Sequence, residues 1–228
     1  MTFALVLACT IVACLVLRKL IKRYPLVFYG LAVLVCIIFF VADPSMVPRS
    51  MWLVLLMLVQ KCMLPLALFV VVMYIGVFPS NSKPYHWLKP IRAELSIIAC
   101  ILALGHMIVY LQTYLPRIIA GTAFNMNVMA SFIISLVLFV LLLVLGVTSF
   151  QAVKSRMRVE TWKKVQKWAY VFFFLVYAHM VLMLLSSALN GGVASVVTVG
   201  VYSVVFGVYA VLRGMRAASD KKAREVDC

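Results

Sequence analysis

The sequence predicts an all-α, polytopic membrane helix bundle with about seven transmembrane helices. Hydrophobic residues make up 66% of the 228 positions and charged residues only 12%. A soluble domain is instead roughly half apolar and about a quarter charged. Several apolar runs approach the roughly 20 residues that a helix needs to cross the hydrocarbon core. The connections between these runs are short, which excludes a separate soluble nucleotide-binding domain within this chain.

The individual spans are predicted from apolar runs bounded by helix breakers such as proline and the Asn190-Gly191-Gly192 turn. The predicted helices cover about 2–17, 24–42, 51–78, 93–115, 126–150, 165–188 and 191–213. On this basis the chain divides into two N-terminal transmembrane helices, a main helix bundle and a basic cytoplasmic tail, at residues 1–50, 51–213 and 214–228.

The basic residues predict the orientation of the chain. All but three of the 21 Lys and Arg residues lie in connections on one predicted side, the exceptions being Arg49, Lys61 and Arg117. The positive-inside rule then places the N-terminus outside and the C-terminus in the cytoplasm, most simply of a bacterial cytoplasmic membrane. The formal net charge of +15 is explained by this topology, so we expect contact with membrane lipid and no nucleic-acid binding.

Two histidines lie inside predicted spans, His106 in the fourth helix and His179 in the sixth. His106 follows Arg92 by 14 residues and His179 follows Val165 by 14, so both lie roughly 21 Å from the inner end. Two neutral imidazoles at one depth suit axial ligation of a haem iron. Spacing alone leaves a second interpretation open, in which each histidine only forms hydrogen bonds within the bundle.

Three stretches carry a resemblance to a known family. They are Leu88–Arg92 with Leu104-Gly-His-Met-Ile-Val-Tyr110, then Thr148-Ser149 with the basic loop to Lys164, and Trp162–Tyr170 followed by His179. Together they resemble the ferric-reductase-like transmembrane family, in particular the haem-binding membrane subunit of the periplasmic methionine sulfoxide reductase system. The resemblance implies a b-type cytochrome-like subunit with His106 and His179 as axial ligands of haem iron. Such a subunit passes electrons to a partner oxidoreductase and is not catalytic itself.

One departure from the family limits the number of haems. Gln166 stands where the family usually has a histidine, 13 residues before His179, and Ala93 lies 13 residues before His106. The inner site of two-haem relatives therefore lacks both ligands here, which predicts at most one haem b at the outer level. A flavin or quinone near the basic inner face would shorten the electron path, although no motif indicates one.

Three further residues are candidates with ordinary explanations beside them. Lys61 lies within an apolar run and either pairs with a haem propionate or extends its amine to the membrane surface. Arg117 is another possible propionate partner, or a common helix-end charge. His86 lies in a connecting loop, where a solvated histidine is the simpler interpretation.

Two other functions remain open at this stage. A haem-free membrane anchor for a partner protein is consistent with Gln166 in place of the family histidine. A small-molecule transporter is the other alternative, although Asp43, Glu94 and Glu160 all fall at helix ends or in loops. Coupled transport usually requires acidic groups or broken helices within the bilayer.

Overall fold

The structure, a computed structural model, describes residues 2–121 and 126–226. Within these ranges the chain is helical apart from short connections, and no strand is present, which confirms the predicted all-α fold. A π-helical turn (Leu56–Gln60) follows α3, and a 3-10 turn (Lys89–Ile91) precedes α6. The helices are α1 (Thr2–Arg23), α2 (Pro25–Val41), α3 (Arg49–Leu55), α4 (Met63–Ile75), α5 (Lys83–Leu88), α6 (Arg92–Ile119), α7 (Met126–Val147), α8 (Gln151–Lys154), α9 (Val159–Leu189) and α10 (Val193–Val226).

Five helical stretches of the described chain are long and apolar enough to cross a membrane. They comprise α1, the α5–α6 stretch, α7, α9 and α10. A sixth candidate combines the α3 segment with α4, and α2 is apolar but only 17 residues long. That length lies at the lower limit of the roughly 17–25 residues of known spans. The polytopic bundle is therefore confirmed, with five to six candidate spans and α2 as a shorter apolar helix.

Several helices run further than the sequence predicts. α1 continues to Arg23, and α10 continues to Val226 through most of the predicted basic tail at 214–228. Lys, Arg, Ala and Glu favour helices, so these helices do not stop where their apolar runs stop. The last residue of that predicted tail, Cys228, lies outside the described residues.

The single helix predicted at 51–78 is wrong, because the structure breaks it at Lys61–Cys62 and bends it by 46°. Pro65 accounts for the position of the break. Proline has no N–H to donate to the carbonyl four residues earlier, here that of Lys61, and its ring clashes with that carbonyl. Cys62 adopts a left-handed backbone conformation with φ of 54°, and α4 begins at the next residue.

The helix α4 lies at the centre of the bundle. All of its residues from Pro65 to Met73 are buried, and they pack against α1 and α6 as well as against side chains of α9 and α10. Large apolar side chains on the outer helices are instead exposed, among them Val16, Leu26 and Val140. An apolar outer surface around a packed interior is what a bundle surrounded by lipid requires.

Two glycines of the bundle allow helices to approach closely. A Cβ added to Gly105 of α6 would lie 2.7 Å from Cys36 Sγ of α2. A Cβ on Gly146 of α7 would lie 3.0 Å from Cys100 Sγ of α6. Small residues at such contacts are typical of helix packing in membranes. The contact at Gly105 matters most here because the next residue is His106.

We expect Gly105→Ala to lower thermal stability in detergent, with a cost of about 1–3 kcal/mol from overpacking. Gly207→Ala is the matched control, because no atom lies within 4 Å of a Cβ added there. The double variant Gly105→Ala/Cys36→Ala removes the sulfur that is struck and should recover part of the loss. Equal melting temperatures for Gly105→Ala and Gly207→Ala would contradict the close contact between α2 and α6.

Candidate functional site

His106 is held by a backbone carbonyl from another segment. Its Nδ1 donates a hydrogen bond to the Gln60 carbonyl oxygen, with an N–O distance of 2.6 Å. Gln60 is the last residue of the π-helical turn, directly before the break at Lys61–Cys62. In an uninterrupted helix this carbonyl would accept from the N–H of residue 64. The break thus leaves Gln60 with a free acceptor, and His106 satisfies it.

His179 is held in a similar way by α7. Its Nδ1 lies 2.8 Å from Ser131 Oγ and 3.1 Å from the Ser131 carbonyl oxygen. The Ser131 hydroxyl donates in turn to the His179 carbonyl, at 3.3 Å. Ser131 is fully buried between α7 and α9, so this hydrogen bonding is protected from competition by solvent.

These contacts fix the same tautomer in both rings. A carbonyl oxygen only accepts, so each Nδ1 carries the proton, and Nε2 of each neutral ring keeps its lone pair. Histidines that ligate metals almost always donate their other N–H to a carbonyl or carboxylate in this manner. The donor chemistry of His106 and His179 therefore fits a haem iron.

The helices that carry the two histidines share α7 as a neighbour. α6 and α9 both pack against α7 but make almost no close backbone approach to each other. A shallow depression between α6 and α7, too small to hold a water molecule, is lined by Tyr114, Ile118, Val128, Met129 and Phe132. A porphyrin is far larger than this depression, so haem binding would require the surrounding side chains to move.

Aromatic rings extend from His106 along α6. The Tyr110 ring lies 4.8 Å from the His106 ring, and the Tyr114 ring stacks on Tyr110 at 5.8 Å. Phe132 of α7 continues the series at 6.1 Å from Tyr114. The spacing of four residues puts these rings on one face of the helix. They lead from His106 toward the end of α6 opposite the basic loops.

The other residues that the sequence predicts, Lys61, Arg117 and His86, are all exposed. Lys61 is exposed at the helix break, next to the Gln60 that holds His106. Arg117 is exposed on α6, 11 residues beyond His106 and therefore about three turns away. His86 is exposed in α5, where its ring contacts Tyr85.

The predicted inner site has no imidazole, and its glutamine has another partner. Gln166 Nε2 donates to Thr148 Oγ1 at 3.0 Å, and Trp162 Nε1 donates to the Thr148 carbonyl at 3.0 Å. These bonds fasten the beginning of α9 to the end of α7. Ala93 is exposed at the beginning of α6. Gln166 is thus used in packing helices at the level where two-haem relatives are expected to hold a second ring.

Sequence reasoning missed Gln60 and Ser131, which orient the two histidines. No sequence signal identifies a backbone carbonyl as a partner. The polar interruption Gln60-Lys61 followed by Pro65 within an apolar run was the only indication that a carbonyl would be released there. Ser131 stands among apolar residues of α7, and a buried serine in a membrane helix generally seeks a partner on a neighbouring helix.

With this geometry in place, comparison with known proteins identifies the family. Residues 58–178 match the family described as "Ferric reductase like transmembrane component". The match covers just over half of the chain. The chain belongs to this family. Membership indicates a membrane electron-transfer component, and the matched region includes His106 and ends one residue before His179.

A relative is found in Treponema pallidum (strain Nichols), where it carries the description "Uncharacterized protein". It is 42% identical to this ferric-reductase-like chain over 133 residues, which is 58% of this chain. The chain spans only 37% of the length of that relative. No solved structure matches.

Proposed function

We propose that the protein is an electron-transfer subunit that holds one haem b between His106 and His179. The observation that carries this proposal is the matched anchoring of the two rings. Each imidazole donates its Nδ1–H to a neighbouring helix, which leaves Nε2 as the metal-binding atom. Membership in a transmembrane family of electron-transfer components supports the same conclusion.

Bound haem would supply one-electron chemistry at its iron, and the protein's part is ligation, burial and orientation. His106 and His179 would provide the two nitrogens, while Gln60 and Ser131 prevent ring rotation. Lys61, at the level of Gln60, is a candidate for pairing with a propionate, and Arg117 is a second one closer to the end of α6. Cations near propionates compensate the charge that an apolar bundle cannot solvate.

The first test is an absorption spectrum of the protein purified in mild detergent after expression with ample haem. The oxidised and dithionite-reduced forms should show the Soret and α bands of a bis-histidine cytochrome. Replacement of either ligand, as His106→Ala or His179→Ala, should abolish these bands, because one imidazole cannot hold a low-spin six-coordinate iron. Haem content per protein should be close to one.

The matched control is His86→Ala, which changes the third histidine of the chain at an exposed position. Its spectrum should equal that of the wild type. A featureless spectrum from folded wild-type protein, or full bands in both ligand variants, would contradict the haem proposal.

Ser131 offers a test of orientation. Ser131→Ala removes the hydroxyl at 2.8 Å from His179 Nδ1 while the weaker carbonyl contact at 3.1 Å persists. Partners of this kind typically influence metal affinity by about 10–100-fold. We expect haem to be retained but more easily lost, with a shifted reduction potential and altered low-spin electron paramagnetic resonance g-values.

Ser135→Ala is the control, one turn along α7, because its hydroxyl donates at 2.6 Å to Phe132 within its own helix. Identical potentials and g-values for Ser131→Ala and wild type would show that Ser131 does not orient His179. Loss of bands in His106→Ala with no effect of Ser131→Ala would leave the haem proposal intact and reject only the role of Ser131.

We further propose that the N-terminus lies outside the membrane and the C-terminus in the cytoplasm of a bacterium. The support is the concentration of Lys and Arg in alternate connections. A partner oxidoreductase at the outer face would then lie nearest to the histidine pair. The resemblance to the haem-binding subunit of methionine sulfoxide reductase suggests that class of partner.

Cysteine labelling of intact cells tests this orientation. In a variant with no other cysteine, Ser45→Cys should react with a membrane-impermeant maleimide, because Ser45 lies in the exposed α2–α3 loop. A variant that keeps only Cys228 should react only after lysis. The reverse pattern would invert the proposed topology.

A haem-free membrane anchor is the second candidate function. The observation that favours it is the hydrogen bond from Gln166 to Thr148, since Gln166 stands where the resemblance implies a histidine ligand. The spectrum described above separates the two candidates, because an anchor would fold without any Soret band.

A further inference from the structure

A buried hydroxyl without a partner lies near the basic end of the bundle. Tyr209 of α10 is fully buried, and its hydroxyl has no hydrogen-bond partner among the described residues. The nearest rings are Phe173 and Phe174 of α9 and Tyr74 of α4. The neighbouring Tyr74 hydroxyl is satisfied, because it donates to the Val205 carbonyl at 2.7 Å. A buried hydroxyl that lacks a partner is destabilising, so its position needs an explanation.

Two arginines, Arg213 and Arg92, lie in the same region of the bundle as this hydroxyl. Arg213 follows Tyr209 by one helical turn, and its guanidinium lies over the Tyr170 ring at 4.7 Å from the ring centroid. Arg92, at the beginning of α6, extends its guanidinium toward Gly76, where an added Cβ would lie 3.7 Å from it. Gly76 lies two residues after Tyr74, whose ring packs against the Tyr209 ring at 5.6 Å. Two helices, α6 and α10, therefore bring two cations to the region of one unpaired hydroxyl.

Neither arginine has a carboxylate partner in the described part of the chain. The ion pair that is present on α10 joins Arg216 to Asp220 at 3.2 Å, further along the helix. Arg213 interacts with a ring instead of an acid, and Arg92 is exposed at the surface. Two guanidinium groups beside a hydroxyl donor form a set of donors that lacks an acceptor. Arginine pairs of this kind are well suited to a phosphate, which accepts two parallel N–H bonds from each planar fork.

We propose that Arg92, Arg213 and Tyr209 form a binding site for a phosphate group at the basic end of the bundle. The group is either the headgroup of an anionic phospholipid or the phosphate of a soluble compound. A lipid is favoured by position, since basic pockets between membrane helices bind anionic headgroups and the surrounding helices expose apolar side chains. This site is separate from the histidine pair and does not depend on haem.

A simpler explanation is that arginines at this end only stack on aromatic rings. Arg18, for example, lies 4.3 Å above the Trp87 ring at the same end of the bundle. Stacking accounts for Arg213 on Tyr170, but it does not account for the buried Tyr209 hydroxyl that lacks a partner one helical turn before Arg213. The hydroxyl is therefore the atom that separates the two explanations.

The experiment measures the thermal stability of the purified full chain in nanodiscs of neutral phosphatidylcholine, with and without added phosphatidylglycerol. Inorganic phosphate and flavin mononucleotide are added separately to the neutral discs. The variants are Arg92→Gln/Arg213→Gln, Tyr209→Phe and the control Arg18→Gln. Phosphatidylglycerol should raise the wild-type melting temperature in a saturable way. We expect about tenfold or greater loss of apparent affinity in the double variant, as for the loss of charge-assisted hydrogen bonds.

Tyr209→Phe is the decisive variant, because it removes an unpaired hydroxyl and leaves the ring packing intact. It should fold at least as stably as wild type in neutral discs but respond less to the anionic lipid, whereas Arg18→Gln should respond as wild type does. A stabilisation by inorganic phosphate or the flavin nucleotide that exceeds that of the lipid, and is lost in the same variants, would support the site and identify a soluble ligand. No specific stabilisation by any probe, or equal responses in all variants, would overturn the proposal.

Discussion

The break between α3 and α4 is the constraint on which the proposed site depends. A carbonyl inside a bilayer must find a donor, because neither lipid nor water supplies one. Pro65 prevents the helix from continuing across Lys61, and the released Gln60 carbonyl is then satisfied by His106 Nδ1 at 2.6 Å. The same contact fixes the ring, its tautomer and the position of α6 beside the most deeply buried helix, α4. One proline thereby links the central packing of the bundle to the orientation of a proposed haem ligand.

His179 is also held by hydrogen bonds to a neighbouring helix, here to both the hydroxyl and the carbonyl of Ser131. Ser131 and His179 satisfy one another across α7 and α9, and the two helices approach closely over much of their length. α7 also contacts α6, with Cys100 against Gly146. It therefore acts as a spacer that keeps α6 and α9 apart while it positions the ring on one of them. The aromatic series from His106 to Tyr114 extends the site toward the end of the bundle that carries few charges.

Much of this could be predicted from the sequence, because membrane helices are determined by local composition. The apolar runs and breakers located the helices, and equal spacing from the basic loops selected His106 and His179 as a pair at one depth. The bend at Lys61–Cys62 was not predicted, because Pro65 lies near the middle of a long apolar run that has the composition of one continuous span. Gln60 and Ser131 were missed because their roles depend on which helices become neighbours, and a backbone carbonyl carries no side-chain signature. The unpaired Tyr209 hydroxyl is likewise visible only once α4, α6 and α10 are packed.

The two ends of the bundle differ in a way that bears on how electrons would enter. At the end that carries the basic loops, hydrogen bonds fasten α9 to α7. Gln166 and Trp162 both donate to Thr148 there. A haem between His106 and His179 would lie roughly 21 Å from the inner ends of those helices, counted along the helix axis. That separation disfavours direct transfer from a soluble cytoplasmic donor. Under the proposed haem ligation and orientation, a single outer haem is thus better suited to accept electrons from within the bilayer than to carry them across it.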